Sequence, residues 1–168
     1  MARDLAVVAV NQPWAAPANT SASWARIITR PAVIGDQFWV EGYGWNADSG
    51  GSPGVARRSK TFETVSGIAG NFWKMIVTQG RGRACHGDSG GPALNDFNLL
   101  GKPELGFTDA IFGVTSKAIS TEPILRCPHL GDSIYYSQLS DKVSFIEPFF
   151  SGGCYHGSSN GNAYMRCW

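Results

Sequence analysis

No apolar run in this chain is long enough for anything but a short strand. Runs such as DLAVVAV (4–10), FWVEGYG (38–44), WKMIVTQ (73–79), DAIFGVTS (109–116) and SIYYSQL (133–139) alternate or are wholly apolar, and clusters of Gly, Pro, Asn and Ser divide them. Such punctuation predicts an all-β fold, a barrel or a sandwich. One stretch reads as helix: in SDKVSFIEPFF (140–150), Val143, Ile146 and Phe149 fall at three-residue spacing behind Ser140 as a cap, and Pro148 limits the length. Segments 11–23 and 46–54, rich in turn formers and without periodicity, read as loops. The final stretch, 151–168, is polar and Gly-rich, and Cys154 with Cys167 is expected to staple it into a small hairpin or loop.

At 168 residues and 43% hydrophobic, the chain can bury one sizeable core. A formal net charge of +1 and no long basic run leave no electrostatic footprint for nucleic acid. No apolar stretch approaches the roughly eighteen residues of a membrane span, so neither nucleic acid nor membrane is expected as a partner. The four cysteines, an even count in a loop-rich chain, favour disulfides and an oxidising compartment. Yet Met1 is followed at once by Asp4 and a strand-like run, with no charged-then-apolar leader. Both observations are met if the chain is the back part of a longer protein that is secreted, extracellular or periplasmic.

Chemistry concentrates at ACHGDSGGPAL (84–94), where Ser89 stands between Asp88 and two glycines. A serine hydroxyl needs a neighbouring base before it becomes a good nucleophile. The stretch contains Gly-x-Ser-x-Gly, which in an α/β-hydrolase would cap a buried strand and open a helix. Here Gly90, Gly91 and Pro92 follow the serine, and RGRACH before it is no buried strand, so that esterase reading is the weaker alternative. Cysteine, one residue and then GDSGGP resembles the nucleophile motif of the chymotrypsin/trypsin-like serine proteases. DLAVVAV is similar to that family's segment carrying the triad aspartate, VEGYGW to the Gly-Trp-Gly that opens the second barrel with Tyr43 replacing the tryptophan, and IFGVTS to the strand bordering the substrate. SIYYSQLSDKVSFIEPFF resembles the last strand and C-terminal helix, so the resemblance runs from Asp4 to about Phe150.

The resemblance implies a Greek-key β-barrel fold with a short C-terminal helix, the second barrel complete and the first truncated. Residues 1–34 would be a remnant of the first barrel with the interbarrel linker, 35–150 the second barrel, and 151–168 the stapled tail. It implies an endopeptidase acting on protein or peptide substrates through an acyl-enzyme on Ser89, with Asp4 as triad carboxylate and the N–H groups of Gly87 and Ser89 as oxyanion hole. It pairs Cys85 with Cys127 across the substrate pocket. It lines that pocket with Ala84, Ser116, Lys117, Ala118 and Ser133, puts His86 at its mouth and Arg83 at its base, and calls for no cofactor and no metal.

The family order is His, Asp, Ser, and no histidine precedes Asp4 in these residues. His86 lies on the turn beside the oxyanion glycine, His129 in the loop after Cys127, and His156 in the tail, so none is expected to serve Ser89. The base is then expected from an N-terminal, His-bearing segment, and the chain alone to be inactive or nearly so. A non-catalytic binding module that keeps the pocket is the alternative. The pairs CPH (127–129) and CYH (154–156) with Cys167 could in principle ligate zinc, but their spacing is wrong for a structural site. Asp88, without the N-terminal ammonium that the family often supplies, is expected to be exposed, neutral or otherwise paired. Arg83 needs an anion, either a substrate Asp or Glu or the protein's Asp132, unless it points to solvent.

Overall fold

The computed structural model describes residues 5–8, 26–45, 59–79, 83–95, 110–123, 126–159 and 161–167. The strands are β1 (Arg26–Ile28), β2 (Gln37–Gly42), β3 (Ser59–Thr64), β4 (Gly67–Ala69), β5 (Phe72–Ile76), β6 (Pro92–Asn95), β7 (Ala110–Ile119), β8 (Ser133–Gln138), β9 (Cys154–Ser159) and β10 (Asn162–Cys167). One helix, α1 (Val143–Ile146), runs into a 3-10 turn at Glu147–Phe149.

β2 pairs with β3 on one side and β6 on the other. β6 pairs with β7, β7 with β8, β8 with β5 and β5 with β4, all antiparallel. β3 and β4 are one run of chain bent at Val65–Ser66. Val65 exchanges bonds with Gly35 and Asp36 just before β2, and Ser66 donates to Lys74 of β5. β6 pairs back with β2 while β8 takes the place beside β5.

Alternation along these strands sends one face inward. Phe38, Trp73 and Tyr136 are each 0% exposed, with Trp73 stacked on Tyr136 at 4.3 Å and Phe38 edge-on to both. Phe112, Met75, Ile134, Val40 and Val65 complete this core. Burial and the nearby Glu63 and Asp88 carboxylates hold the Tyr136 phenol well above its ordinary range, so it stays neutral.

The remaining strands extend β7 sideways. β1 lies parallel to the start of β7 and antiparallel to β10, which forms a hairpin with β9. Cys154 and Cys167 are register partners across that hairpin and form the expected disulfide. Met165, 0% exposed, Leu139 and Ile146 make a second core under it, against which Leu5 packs.

Several local expectations need correction. Leu5–Val8 alternates half-buried and exposed residues but belongs to no strand among the described residues. Ser140 does not cap α1: the cap residue is Lys142, without a side-chain bond, and the Ser140 hydroxyl is buried without a partner among the described residues. Phe149 is 55% exposed, because the 3-10 turn at Pro148 rotates it off the face that buries Ile146. Within the stretch read as a first-barrel remnant and linker, Arg26–Ile28 is a strand that pairs with β7 and β10. Segments 11–23 and 46–54 lie outside the described residues.

Candidate active site

Ser89 sits in consecutive tight turns between Cys85 and β6, exposed at its own position. It neither ends a strand nor begins a helix, and that geometry overturns the α/β-hydrolase alternative. The turns are tied on every side. Cys85 is bonded to Cys127, His86 N–H donates to the Arg126 carbonyl, Trp45 N–H donates to the His86 carbonyl, and Gly90 N–H donates to Thr115 of β7. Gly87 holds φ +95°, a conformation that favours glycine.

Asp88 fixes the turns from below. It is only 9% exposed, and its carboxylate accepts from Gly44 N–H and from Cys85 N–H, each at 2.9 Å. It is thus buried and paired otherwise, by backbone donors. Glycine at 42 and 44 makes room for it: a Cβ on Gly44 would stand 2.6 Å from Asp88 Oδ1, and one on Gly42 would also strike that atom. The spacing Gly-Tyr-Gly signals this contact, although sequence reading does not show what the glycines accommodate.

Each backbone N–H from Cys85 to Gly91 has an acceptor except two. Those of Cys85, His86, Asp88, Gly90 and Gly91 are bonded, whereas those of Gly87 and Ser89 meet no acceptor among the described residues. Two cavities open beside Ser89. One, of about 220 Å³, is lined by Ala84, His86, Ser89, Ser116, Lys117 and Ala118, and also by Thr115, Pro128 and Ile134, which sequence reading did not include. The other, of about 450 Å³, lies between Ser89–Gly90, Val114–Ser116 and Leu5–Ala6. Asp4 itself lies outside the described residues, but the two residues that follow it border the same space as Ser89.

Two expected pocket residues are not on the wall. Arg83 is half-buried with its Nε enclosed and without an acceptor among the described residues. Ser133 begins β8, in register with Ile76 and Ile119, and lines no cavity described here. Asp132 does not pair with Arg83. It accepts from His129 N–H at 2.6 Å, with the His129 ring at 3.6 Å. Burial alone would raise its pKa, but hydrogen bonds from His129 and Ser120 and the charge of His129 outweigh that and hold it below the ordinary value.

The three histidines are placed as follows. His129 faces Asp132, His156 contacts Glu147, and His86 lines the smaller cavity without a hydrogen bond to Ser89 among the described residues. The three sulfurs that zinc would have used, those of Cys127, Cys154 and Cys167, are spent in disulfides.

A family model described as Trypsin matches residues 1–121. Among solved structures, a mutant of human heparin binding protein is similar to this chain at 16% identity with a TM-score of 0.54, covering 82% of this chain and 53% of that one. The chain therefore spans about half the length of that structure, and the likeness is one of fold. No curated protein matches the sequence. No helix among the described residues is long and apolar enough to cross a membrane.

Proposed function

From the premise that this chain belongs to the trypsin family, we propose that it carries the nucleophile half of a serine endopeptidase, with Ser89 as the attacking group. The observation that carries this reading is the pair of uncommitted N–H groups on Gly87 and Ser89, in a turn where every neighbouring N–H is bonded. Donors left open beside a hydroxyl can stabilise the oxyanion of a tetrahedral intermediate, and loss of one such donor in a protease costs roughly 100- to 1,000-fold in rate.

The remaining parts follow from the same geometry. Ser89 Oγ attacks the substrate carbonyl, a base takes its proton, the carbonyl oxygen turns toward Gly87 and Ser89 N–H, and collapse expels the amine to leave an acyl-enzyme. β6 stops opposite Val114, so beyond that point β7 has a described strand, β8, on one side only. An extended peptide fits along the other side, its scissile bond at Ser89. Asp4 is the carboxylate that orients the base, supported by Leu5 and Ala6 beside Ser89. The base is an imidazole from a His-bearing segment seated in the larger cavity, because the three histidines of this sequence are placed elsewhere or make no bond to Ser89. The two disulfides fit an extracellular or periplasmic setting.

The lack of a bonded imidazole is also what a non-catalytic binding module would have, and one experiment separates the two. A fluorophosphonate probe is applied to the chain and the adduct located by mass spectrometry. The proposal expects slow but specific capture at Ser89, abolished in Ser89→Ala and unchanged in His86→Ala. Capture scattered over other hydroxyls would favour the binding module, and fast capture lost in His86→Ala would make His86 the base.

A further inference from the structure

The smaller cavity beside Ser89 has a one-sided chemistry. Among the described residues its wall carries two basic side chains, His86 and Lys117, and no Asp or Glu. Lys117 Nζ is set 5.6 Å from the ring centroids of both Phe72 and Tyr135, which orient the ammonium without neutralising it. No carboxylate among the described residues pairs with it.

A polar group on the cavity wall is unsatisfied as well. Thr115 is 6% exposed, and its hydroxyl is buried without a partner among the described residues. A buried hydroxyl left unpaired is costly, so an incoming acceptor would be stabilised here. The carboxylates next in sequence to lining or turn residues are already occupied: Asp88, beside Ser89, by Gly44 and Cys85, and Asp132, two residues before Ile134, by His129.

We propose that this cavity receives a side-chain carboxylate, so that the preferred substrate presents Asp or Glu at the residue whose carbonyl Ser89 attacks. The substrate class rests on the reading of Ser89 as nucleophile, while the carboxylate site itself does not. Lys117, exposed on the wall, draws the acid in, and the Thr115 hydroxyl lies on the same wall. A substrate Lys or Arg would bring a second cation to a wall that holds no anion among the described residues, and a large apolar side chain would leave the Thr115 hydroxyl unpaired.

The test uses the whole 168-residue chain and three fluorescent peptides that differ only in a C-terminal Glu, Lys or Phe. Anisotropy titration is expected to show the Glu peptide binding at least about tenfold more tightly than the Lys peptide. That preference should shrink to within about threefold in Lys117→Ala and in roughly 0.5 M salt, where charges are screened within a few Å. Because Lys117 is exposed, its replacement leaves the core intact, and the salt arm needs no variant. Equal or tighter binding of the Lys or Phe peptide overturns the proposal. So does failure of all three to bind, or a Glu preference indifferent to both Lys117→Ala and salt. Fluorophosphonate capture is read on the same sample. Glu preference without capture at Ser89 would leave the carboxylate site standing and remove the nucleophile, and capture without Glu preference would do the reverse.

Discussion

Asp88 and the glycines around it show how little freedom the Ser89 turn has. The carboxylate satisfies two buried backbone donors, Gly44 N–H and Cys85 N–H, and those donors lie on separate segments of chain. Asp88→Asn keeps one acceptor but turns an amide N–H toward the other donor, and is expected to cost about 2–3 kcal/mol in denaturant unfolding. Gly44→Ala places a Cβ 2.6 Å from Asp88 Oδ1, so it should lower stability by a similar amount and slow probe capture at Ser89 together with it. Asp132 offers a prediction in pH. Its carboxyl is held below the ordinary 3.8, so the unfolded chain binds the proton more tightly than the folded one. The stability it contributes is fully present above that value and is lost as pH falls through the lower folded pKa. Asp132→Asn should therefore unfold more easily than wild type at pH 7, with the gap closing below about pH 4; thermal melts across that range measure it. A gap that stays constant with pH would mean that charge on Asp132 contributes nothing.

At the scale of elements, legibility followed local chemistry and failed where partners decide. FWVEGYG, WKMIVTQ, DAIFGVTS and SIYYSQL were readable as strands because each alternates or is wholly apolar, and they became β2, β5, β7 and β8. SKTFET, in β3, carries three polar side chains and a charge pair that mask its period, and only pairing with β2 makes it a strand. DLAVVAV looks more strand-like than β3, yet Leu5–Val8 lacks a ladder. The tail was readable as stapled, but not as part of the sheet, since nothing in Gly-rich sequence tells which edge a hairpin will join. Its disulfide closes a 13-residue separation and that of Cys85–Cys127 a 42-residue one. Loop entropy then assigns them about 3 and about 4 kcal/mol. Replacing Cys154 and Cys167 by serine should lower unfolding free energy by about that smaller amount. It should also loosen Leu5, which packs against the same cluster as Met165, and amide exchange at Leu5 and Ala6 would report it. Unchanged exchange there would show that the tail does not support the segment beside Ser89.

For the molecule as a whole, the GDSGGP stretch singled out Ser89 and Gly87, because turn chemistry is local, while the candidate wall residues Ser116, Lys117 and Ala118 came from the resemblance carried by IFGVTS. The aromatic core, the open second cavity and the company that Asp132 keeps depend on contacts distant in sequence, and no spacing announces them. The fold presents an exposed serine, Ser89, two open N–H donors and a cavity bordered by the residues next to Asp4, with no imidazole bonded to Ser89 among the described residues. The central claim is that only the base is wanting. It is tested most directly by the rate of fluorophosphonate capture at Ser89 with and without an added His-bearing N-terminal segment from a trypsin-family protein. A general base is worth roughly 100- to 10,000-fold, so capture should accelerate by at least about 100-fold when that segment is present, and not when its histidine is replaced by alanine. Capture already fast in the chain alone, or equally slow with the segment bound, would contradict the account.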